Sequence, residues 1–268
     1  LGVLHHDMHN EAFTYMWQTL GHPVPENVAP PPAATPAGET EFSAGTVSLG
    51  AAPGRGFFFD NEKWAHDVDV PAFRISRTVV TNGEYLRFVA DGGYERRELW
   101  SAEGAHLVDS LGLRAPRYWR RDGAEWAMRR FDQVVPLALD EPLMHVSWHE
   151  ADAYCRWAGR RLPAEAEWRL AAPALARSAV WEWTSRRFEP FPGFTVDPYK
   201  EYSAPWFDED YRVLRGGSFA TSSRISYGSF RNFYNPERAD PFCGFRTCAR
   251  SATVIFRSGT DRRRSRIP

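Results

Sequence analysis

Residues 147–168 read SWHEADAYCRWAGRRLPAEAEW. Ser147 and Glu150 have the spacing of a capping box, in which a hydroxyl and a carboxylate satisfy each other's free backbone amides. The pattern predicts a helix through Ala158 that Gly159 ends. A second short helix is predicted to begin at Pro163 and to run through Trp168. Short, separately capped helices are therefore expected in the main part of the chain.

The flanking sequence predicts one more capped helix and several short strands. A second capping box, at residues 81–84, opens a helix that is predicted to end at Gly92 and Gly93. Alternating or β-rich runs predict strands at 46–49, 57–59, 69–75, 212–214 and 244–249. Beyond residue 180 the chain is rich in Gly, Pro, Trp and Phe, which is typical of irregular loops on a small sheet. The predicted fold class is α+β with little regular structure.

The chain divides into four predicted segments. Apolar residues recur at helical spacing over 3–20, and Gly21 and Pro23 end that helix, so 1–22 is one segment. Six prolines between 23 and 36 predict an extended linker over 23–44. The main domain is expected at 45–250, followed by a basic tail at 251–268. Because the chain opens at Leu1 inside a helix, further sequence is expected upstream.

Composition excludes several classes of protein. The net charge is -1, from 33 basic and 34 acidic residues, so no overall field favours nucleic acid or anionic membrane. No apolar run is long enough to span a bilayer, and no signal peptide opens the chain. Three cysteines do not make a disulfide framework. A cytoplasmic protein that binds neither nucleic acid nor membrane is expected.

The first helix carries the strongest chemical signal. His5 and His9 are four residues apart, so both imidazoles project from one helix face with the spacing that two ligands of one metal ion need. Iron, zinc, copper and nickel all accept such ligands. Glu11 lies about 200° around the helix from His9, so it is not expected to reach the same ion directly. It is better placed to hydrogen-bond a group near the metal site or to have a structural role. The alternative is a chance pair on a surface helix.

Residues 5–11 resemble the His-x-x-x-His-x-Glu signature of the ergothioneine-type sulfoxide synthases. Further blocks resemble the second domain of that family, a formylglycine-generating-enzyme-like domain on a C-type-lectin-like scaffold. These blocks lie at 58–63, 79–85, 145–151, 157–168, 180–184, 192–194, 211–218 and 244–246. The resemblance covers about residues 1–250, and it implies that the first helix is the last helix of a four-helix bundle.

The resemblance implies an Fe(II) centre that uses O2 to join sulfur to the imidazole of trimethylhistidine (hercynine). His5 and His9 match two of three histidine ligands, and the third would lie upstream of this chain. A tyrosine supplies a proton in the family, and Tyr199, then Tyr202, match it. A structural Ca2+ ion is also compatible with the scaffold. The alternative for both tyrosines is packing within an aromatic loop.

The resemblance also implies substrate-binding residues in the segment 231–238. Phe233 matches an aromatic residue that packs on trimethylhistidine, and Arg238 matches an arginine that receives the sulfur donor. Two positions depart from the family. Tyr234 stands where an aspartate is expected, and Met8 stands where the family often has a glutamine. These departures favour the selenoneine synthase branch, which uses a selenosugar instead of γ-glutamylcysteine or cysteine.

Two alternative functions remain. A formylglycine-generating oxidase needs two cysteines for copper, but Cys243 and Cys248 lie an odd number of residues apart on a predicted strand and would face opposite ways. A non-catalytic lectin-like binding module uses the same scaffold, although it has no reason to keep the histidine helix.

Overall fold

The computed structural model describes residues 1–250 except 27, 30, 34–37 and 55. The helices are α1 (Gly2–Leu20), α2 (Asn82–Ala90), α3 (Ala102–Leu111), α4 (Trp148–Trp157) and α5 (Glu165–Ala171). The strands are β1 (Glu39–Phe42), β2 (Gly45–Leu49), β3 (His66–Val70), β4 (Phe73–Ser76), β5 (Trp119–Asp122), β6 (Glu125–Arg130), β7 (Gln133–Pro136), β8 (Arg160–Arg161), β9 (Trp181–Arg187), β10 (Arg212–Gly216), β11 (Asn232–Tyr234), β12 (Cys243–Gly244) and β13 (Cys248–Ala249).

The strands form small sheets with long connections between them. One sheet has the order β1-β4-β13-β8, and a second has the order β11-β10-β9-β12. β2 pairs with β3, and β5, β6 and β7 form an antiparallel meander. Short helices and short strands are mixed along the chain, so the predicted α+β class with little regular structure is confirmed.

The core is built mainly from aromatic side chains. Tyr85 and Phe88 of α2 pack against Tyr94, Trp100 and Tyr154, with ring centroids 5.1–6.5 Å apart in the contacting pairs. Rings of this size each bury a large apolar area, which offsets the scarcity of regular backbone structure.

The predicted capping boxes are confirmed. The Glu84 backbone N–H donates to Thr81 Oγ1 at 3.2 Å, and Thr81 N–H donates to Glu84 Oε2 at 2.8 Å. Ser147 and Glu150 make the equivalent pair at the start of α4. The helix predicted over residues 3–20 is also confirmed, and it ends at Gly21 with φ 71°.

Three strand predictions and one helix boundary were wrong. Residues 57–59 form no strand, because Phe59 instead precedes the short turn Asp60–Glu62 and donates its N–H to Glu62. The run 69–75 is split between β3 and β4 at Pro71, which lacks the N–H that a ladder requires. Residues 244–249 fall on two strands in different sheets. α5 begins at Glu165, two residues after the predicted Pro163.

Other elements escaped prediction. α3 begins at Ser101, whose hydroxyl accepts from Gly104 N–H, and ends at Gly112 with φ 61°. Both signals are visible in the sequence. Strand β1 lies inside the predicted linker and pairs with β4, so paired structure begins before residue 45. The predicted basic tail lies outside the described residues.

Helix α1 packs directly on the main domain. Arg129 of β6 donates to the backbone oxygens of Gln18 and Thr19, and the Thr19 hydroxyl lies 3.0 Å from that of Tyr118. The last turn of α1 is thereby capped from the meander, which satisfies carbonyls that a helix end leaves free. Of the helices in the described part of the chain, none has the length and apolar character to cross a membrane.

Candidate active site

A cavity of about 420 Å3 lies between α1 and the main domain. Its walls include all nine residues that the sequence singled out: His5, Met8, His9, Glu11, Tyr199, Tyr202, Phe233, Tyr234 and Arg238. These residues come from α1, from the loop after β9 and from the segment around β11. The fold therefore brings together side chains that are more than 200 positions apart in sequence.

The two predicted metal ligands lie side by side on α1. The ring centroids of His5 and His9 are 4.5 Å apart, with the rings at 74° to each other. His5 is half-buried, and its pKa is lowered first by burial and then by the neighbouring His9 and His6. A lowered pKa keeps the imidazole neutral near pH 7, which is the form that binds a metal ion.

The donor set of this pair fits iron. Imidazole nitrogens are suitable ligands for Fe(II), and two of them leave positions for other groups. Within the described residues, no cluster of three or more His, Cys, Asp or Glu is placed to hold a metal ion. The pair alone is two side chains, fewer than the ligands that a mononuclear centre needs.

The two candidate tyrosines differ in their surroundings. The Tyr199 ring lies 5.5 Å from the His5 ring. The Tyr202 ring stacks on Phe59 at 4.1 Å, and its hydroxyl lies 3.7 Å from Met8 Sδ. Burial raises the pKa of Tyr202 well above its ordinary value. Tyr199 is thus the tyrosine beside the histidine pair, whereas Tyr202 forms part of the packed wall.

Three of the predicted substrate-binding residues, Phe233, Tyr234 and Arg238, line the cavity from the segment around β11, whereas Met8 lies on α1. Phe233 stacks on Phe188 with centroids 3.9 Å apart, and this contact holds its ring in place. Arg238 donates from Nε and Nη2 to the two carboxylate oxygens of Asp240, and its guanidinium lies 4.6 Å from the Tyr234 ring centroid. The sequence did not single out Asp240. Because it occupies two of the donors of Arg238, a carboxylate substrate would have to compete with it.

Further aromatic residues of the cavity were missed. They are Tyr15, Trp181, Trp206, Tyr211 and Phe230. The high aromatic content between 181 and 211 was visible in the sequence, but spacing alone does not tell a cavity wall from packing. With Tyr199, Tyr202, Phe233 and Tyr234, nine aromatic side chains surround this space.

One buried histidine and two buried cysteines outside the cavity have packing environments. His145 is buried between Tyr118 and Phe242, and burial lowers its pKa to about 4. Cys243 lies in the sheet of β9, and Cys248 lies in the sheet of β4. Burial raises the pKa of Cys243 well above its ordinary value and that of Cys248 to about 12. Two buried thiols in different sheets do not favour a shared copper site.

Comparison with known proteins defines the class of this chain. Residues 25–179 and 178–252 match the family model described as the sulfatase-modifying factor enzyme 1-like domain. A formylglycine-generating enzyme of Streptomyces coelicolor is 37% identical, with 60% of this chain and 56% of the relative covered. The fold is therefore the formylglycine-generating-enzyme-like form of the C-type-lectin-like scaffold, as the sequence predicted.

Other relatives narrow the class. A protein of Mycobacterium tuberculosis named hercynine oxygenase is 41% identical, with 70% of this chain and 55% of the relative covered. A hercynine oxygenase of Mycolicibacterium smegmatis is 36% identical, with 92% of this chain and 70% of the relative covered. The chain spans about half the length of the Mycobacterium tuberculosis relative. It belongs to the ergothioneine-type family of formylglycine-generating-enzyme-like proteins.

Proposed function

We propose that the protein containing this chain uses Fe(II) and O2 to form a carbon–sulfur or carbon–selenium bond on the imidazole of hercynine. The proposal draws on relatives that are named hercynine oxygenases. It also draws on a cavity in which a metal-binding pair meets an aromatic wall. A hercynine molecule has an imidazole and a trimethylammonium group. The metal-binding pair suits the reaction at the imidazole, and the aromatic wall suits the trimethylammonium group.

The observation that carries this proposal is the aromatic lining. A quaternary ammonium is attracted to the faces of Trp, Tyr and Phe. Nine such side chains line the cavity, and its volume of about 420 Å3 is within the usual range for a small-molecule site. Phe233 is the wall residue for trimethylhistidine, since the stack on Phe188 holds its ring in a fixed orientation.

His5 and His9 would hold the iron, which supplies the activation of O2 and of the chalcogen donor when bound. Tyr199 is the proton donor, because its ring is 5.5 Å from His5 and its side chain lines the cavity. Met8 and Tyr202 close one part of the cavity wall through the contact between Sδ and the hydroxyl.

The donor is proposed to be neutral and rich in hydroxyl groups, as a selenosugar is. The pairing of Arg238 with Asp240 leaves a nearly neutral wall beside Tyr234. An amino-acid thiol needs a free arginine for its carboxylate and a free carboxylate for its ammonium group. Tyrosine hydroxyls and the Asn232 amide of this cavity suit sugar hydroxyls better.

The outer face of α1 supports a place for this helix within a larger helical domain. Val3, Phe13, Met16, Trp17 and Leu20 are between 42% and 65% exposed. Such a run of exposed apolar side chains on one helix is typical of a surface that packs against other helices.

The proposed reaction is tested with the full-length protein reconstituted anaerobically with Fe(II). Air, hercynine and one donor at a time (γ-glutamylcysteine, cysteine or a selenosugar) are added, and products are read by mass spectrometry. A selenium adduct of hercynine supports the full proposal, and a sulfoxide from a thiol supports the reaction but moves the donor to sulfur. Bound iron without any hercynine adduct would overturn the proposal.

A further inference from the structure

The face of α1 that packs on the main domain includes fully buried polar side chains. Asp7, Glu11 and Gln18 are 3%, 5% and 2% exposed, and they are the buried residues of this helix. At about 100° per residue, they lie within an arc of about 40°. His5 and His9 lie about 120–160° away from Glu11 around the same helix.

Glu11 makes the densest set of contacts. One carboxylate oxygen accepts hydrogen bonds from Trp181 Nε1–H at 2.9 Å and from the Ser218 hydroxyl. The other accepts from the Thr221 hydroxyl at 2.7 Å. Trp181 is itself a wall of the cavity, so this carboxylate joins the histidine helix to the aromatic lining.

The other two buried residues hold the two ends of the helix. Asp7 forms a two-pronged ion pair with Arg224. Gln18 donates from Nε2 to the Arg129 oxygen at 3.0 Å and accepts from the Phe131 N–H. Hydrogen bonds are directional, so these contacts fit one rotation and one height of the helix, whereas an apolar face would tolerate slippage.

We propose that Glu11 is a positioning residue, which fixes the rotation of α1 through its three hydrogen bonds and thereby aims His5 and His9 at the cavity. Asp7 and Gln18 fix the two ends in the same way. The metal-binding part of this inference rests on the proposed function. The rotation of the helix does not.

The role of Glu11 depends on hydrogen bonding and not on its charge. All three partners are neutral donors, and none is Lys or Arg. A glutamine can keep the Trp181 and Ser218 contacts through its oxygen and donate from its amide to the Thr221 hydroxyl, which can reverse its role. Glu11→Gln should therefore preserve the helix position, whereas Glu11→Leu should not.

The test compares Glu11→Gln, Glu11→Leu and the control Thr14→Val in the full-length protein. Among the described residues, the Thr14 hydroxyl donates only to the Asn10 oxygen of its own helix. Hydrogen exchange of α1 amides, urea unfolding and the affinity and absorption spectrum of bound Co2+ are measured. We expect Glu11→Leu to speed exchange in α1, to change the spectrum and to weaken Co2+ binding by about 10-fold or more. The glutamine variant and the control should match the parent protein.

An equal loss of Co2+ affinity in Glu11→Gln and Glu11→Leu would overturn the inference in favour of a charge effect. Unchanged exchange and spectrum in Glu11→Leu would overturn it outright. If Glu11→Leu does not fold, Thr221→Val and Ser218→Ala remove one donor each and should give smaller changes of the same kind. If the parent protein binds no Co2+, the metal proposal fails, and hydrogen exchange alone decides whether Glu11 positions α1.

Discussion

His5, His6 and His9 are close neighbours in sequence but differ in what they face. His5 and His9 line the cavity, whereas His6 does not. The helix geometry alone separates them, since adjacent residues lie about 100° apart. His6 is therefore a matched control for the two proposed ligands.

Replacing either ligand should abolish specific metal binding. We expect His5→Ala and His9→Ala each to weaken Fe(II) or Co2+ affinity by at least about 100-fold, beyond the usual effect of supporting residues. His6→Ala should change it less than about threefold. Calorimetric titration under anaerobic conditions measures all three, and a loss in His6→Ala as large as in His5→Ala would contradict the assignment.

Replacing each of the two tyrosines by phenylalanine should have different effects on kcat. Tyr199→Phe removes the hydroxyl of the tyrosine whose ring contacts His5, so kcat should fall by about 100-fold or more while KM for hercynine stays within about twofold. Tyr202→Phe removes a hydroxyl that faces Met8 Sδ and should have a much smaller effect on kcat. Steady-state rates with saturating O2 distinguish them. The reverse order of effects would assign the proton to Tyr202.

The capping residues of α2 and α4 could be recognised from the sequence, whereas several of the strands could not. Ser147 with Glu150, and Thr81 with Glu84, are local signals that depend on four residues. Strands such as β12 and β13 are two residues long, and their identity depends on partners that are distant in sequence. The alternation of apolar and polar residues over 244–249 could not show that the chain passes from one sheet to another between Gly244 and Cys248.

The cap of α4 should contribute measurably to stability. The Ser147 hydroxyl accepts from Glu150 N–H at 3.2 Å and donates to the buried Glu150 carboxylate at 2.8 Å. Ser147→Ala should lower the free energy of unfolding by about 1–2 kcal/mol. Ser101→Ala removes a simpler cap, on α3, and should cost less. Urea denaturation compares them, and an equal or larger loss in Ser101→Ala would show that the buried contact adds nothing.

The chain as a whole should lose stability in mild acid through His145. Its folded pKa of about 4 lies below its ordinary value of 6.5, so the unfolded chain takes up a proton first as pH falls. The contribution of His145 to the free energy of unfolding is complete above about pH 6.5 and is lost progressively towards pH 4. It amounts to about 3 kcal/mol.

The control is His145→Asn, because Asn tolerates the φ of 62° at this position. Unfolding free energies are measured between pH 4 and 7.5 for both proteins. The difference between them should grow by about 3 kcal/mol over this range, with the parent protein gaining as pH rises. A constant difference would contradict the assignment of the pH dependence to His145.

The sequence and the family resemblance singled out nine residues that line the cavity, but not the other side chains of its walls. His5 and His9 have a helical spacing that can be read directly. Asp240 lies only two positions from Arg238 and was overlooked in the sequence. Trp181 became visible only in three dimensions, because it bonds Glu11 across 170 positions of sequence. Contacts of this kind depend on how α1 is docked, and no local pattern encodes that arrangement.

The most direct test of the account is a crystal structure of the full-length protein grown anaerobically with Fe(II) and hercynine, with anomalous data at the iron edge. We predict an iron peak bound by His5 and His9, and a hercynine molecule in the same cavity with its trimethylammonium group against the aromatic wall that includes Phe233. An iron peak away from these histidines, or hercynine bound outside the cavity, would contradict the central claim.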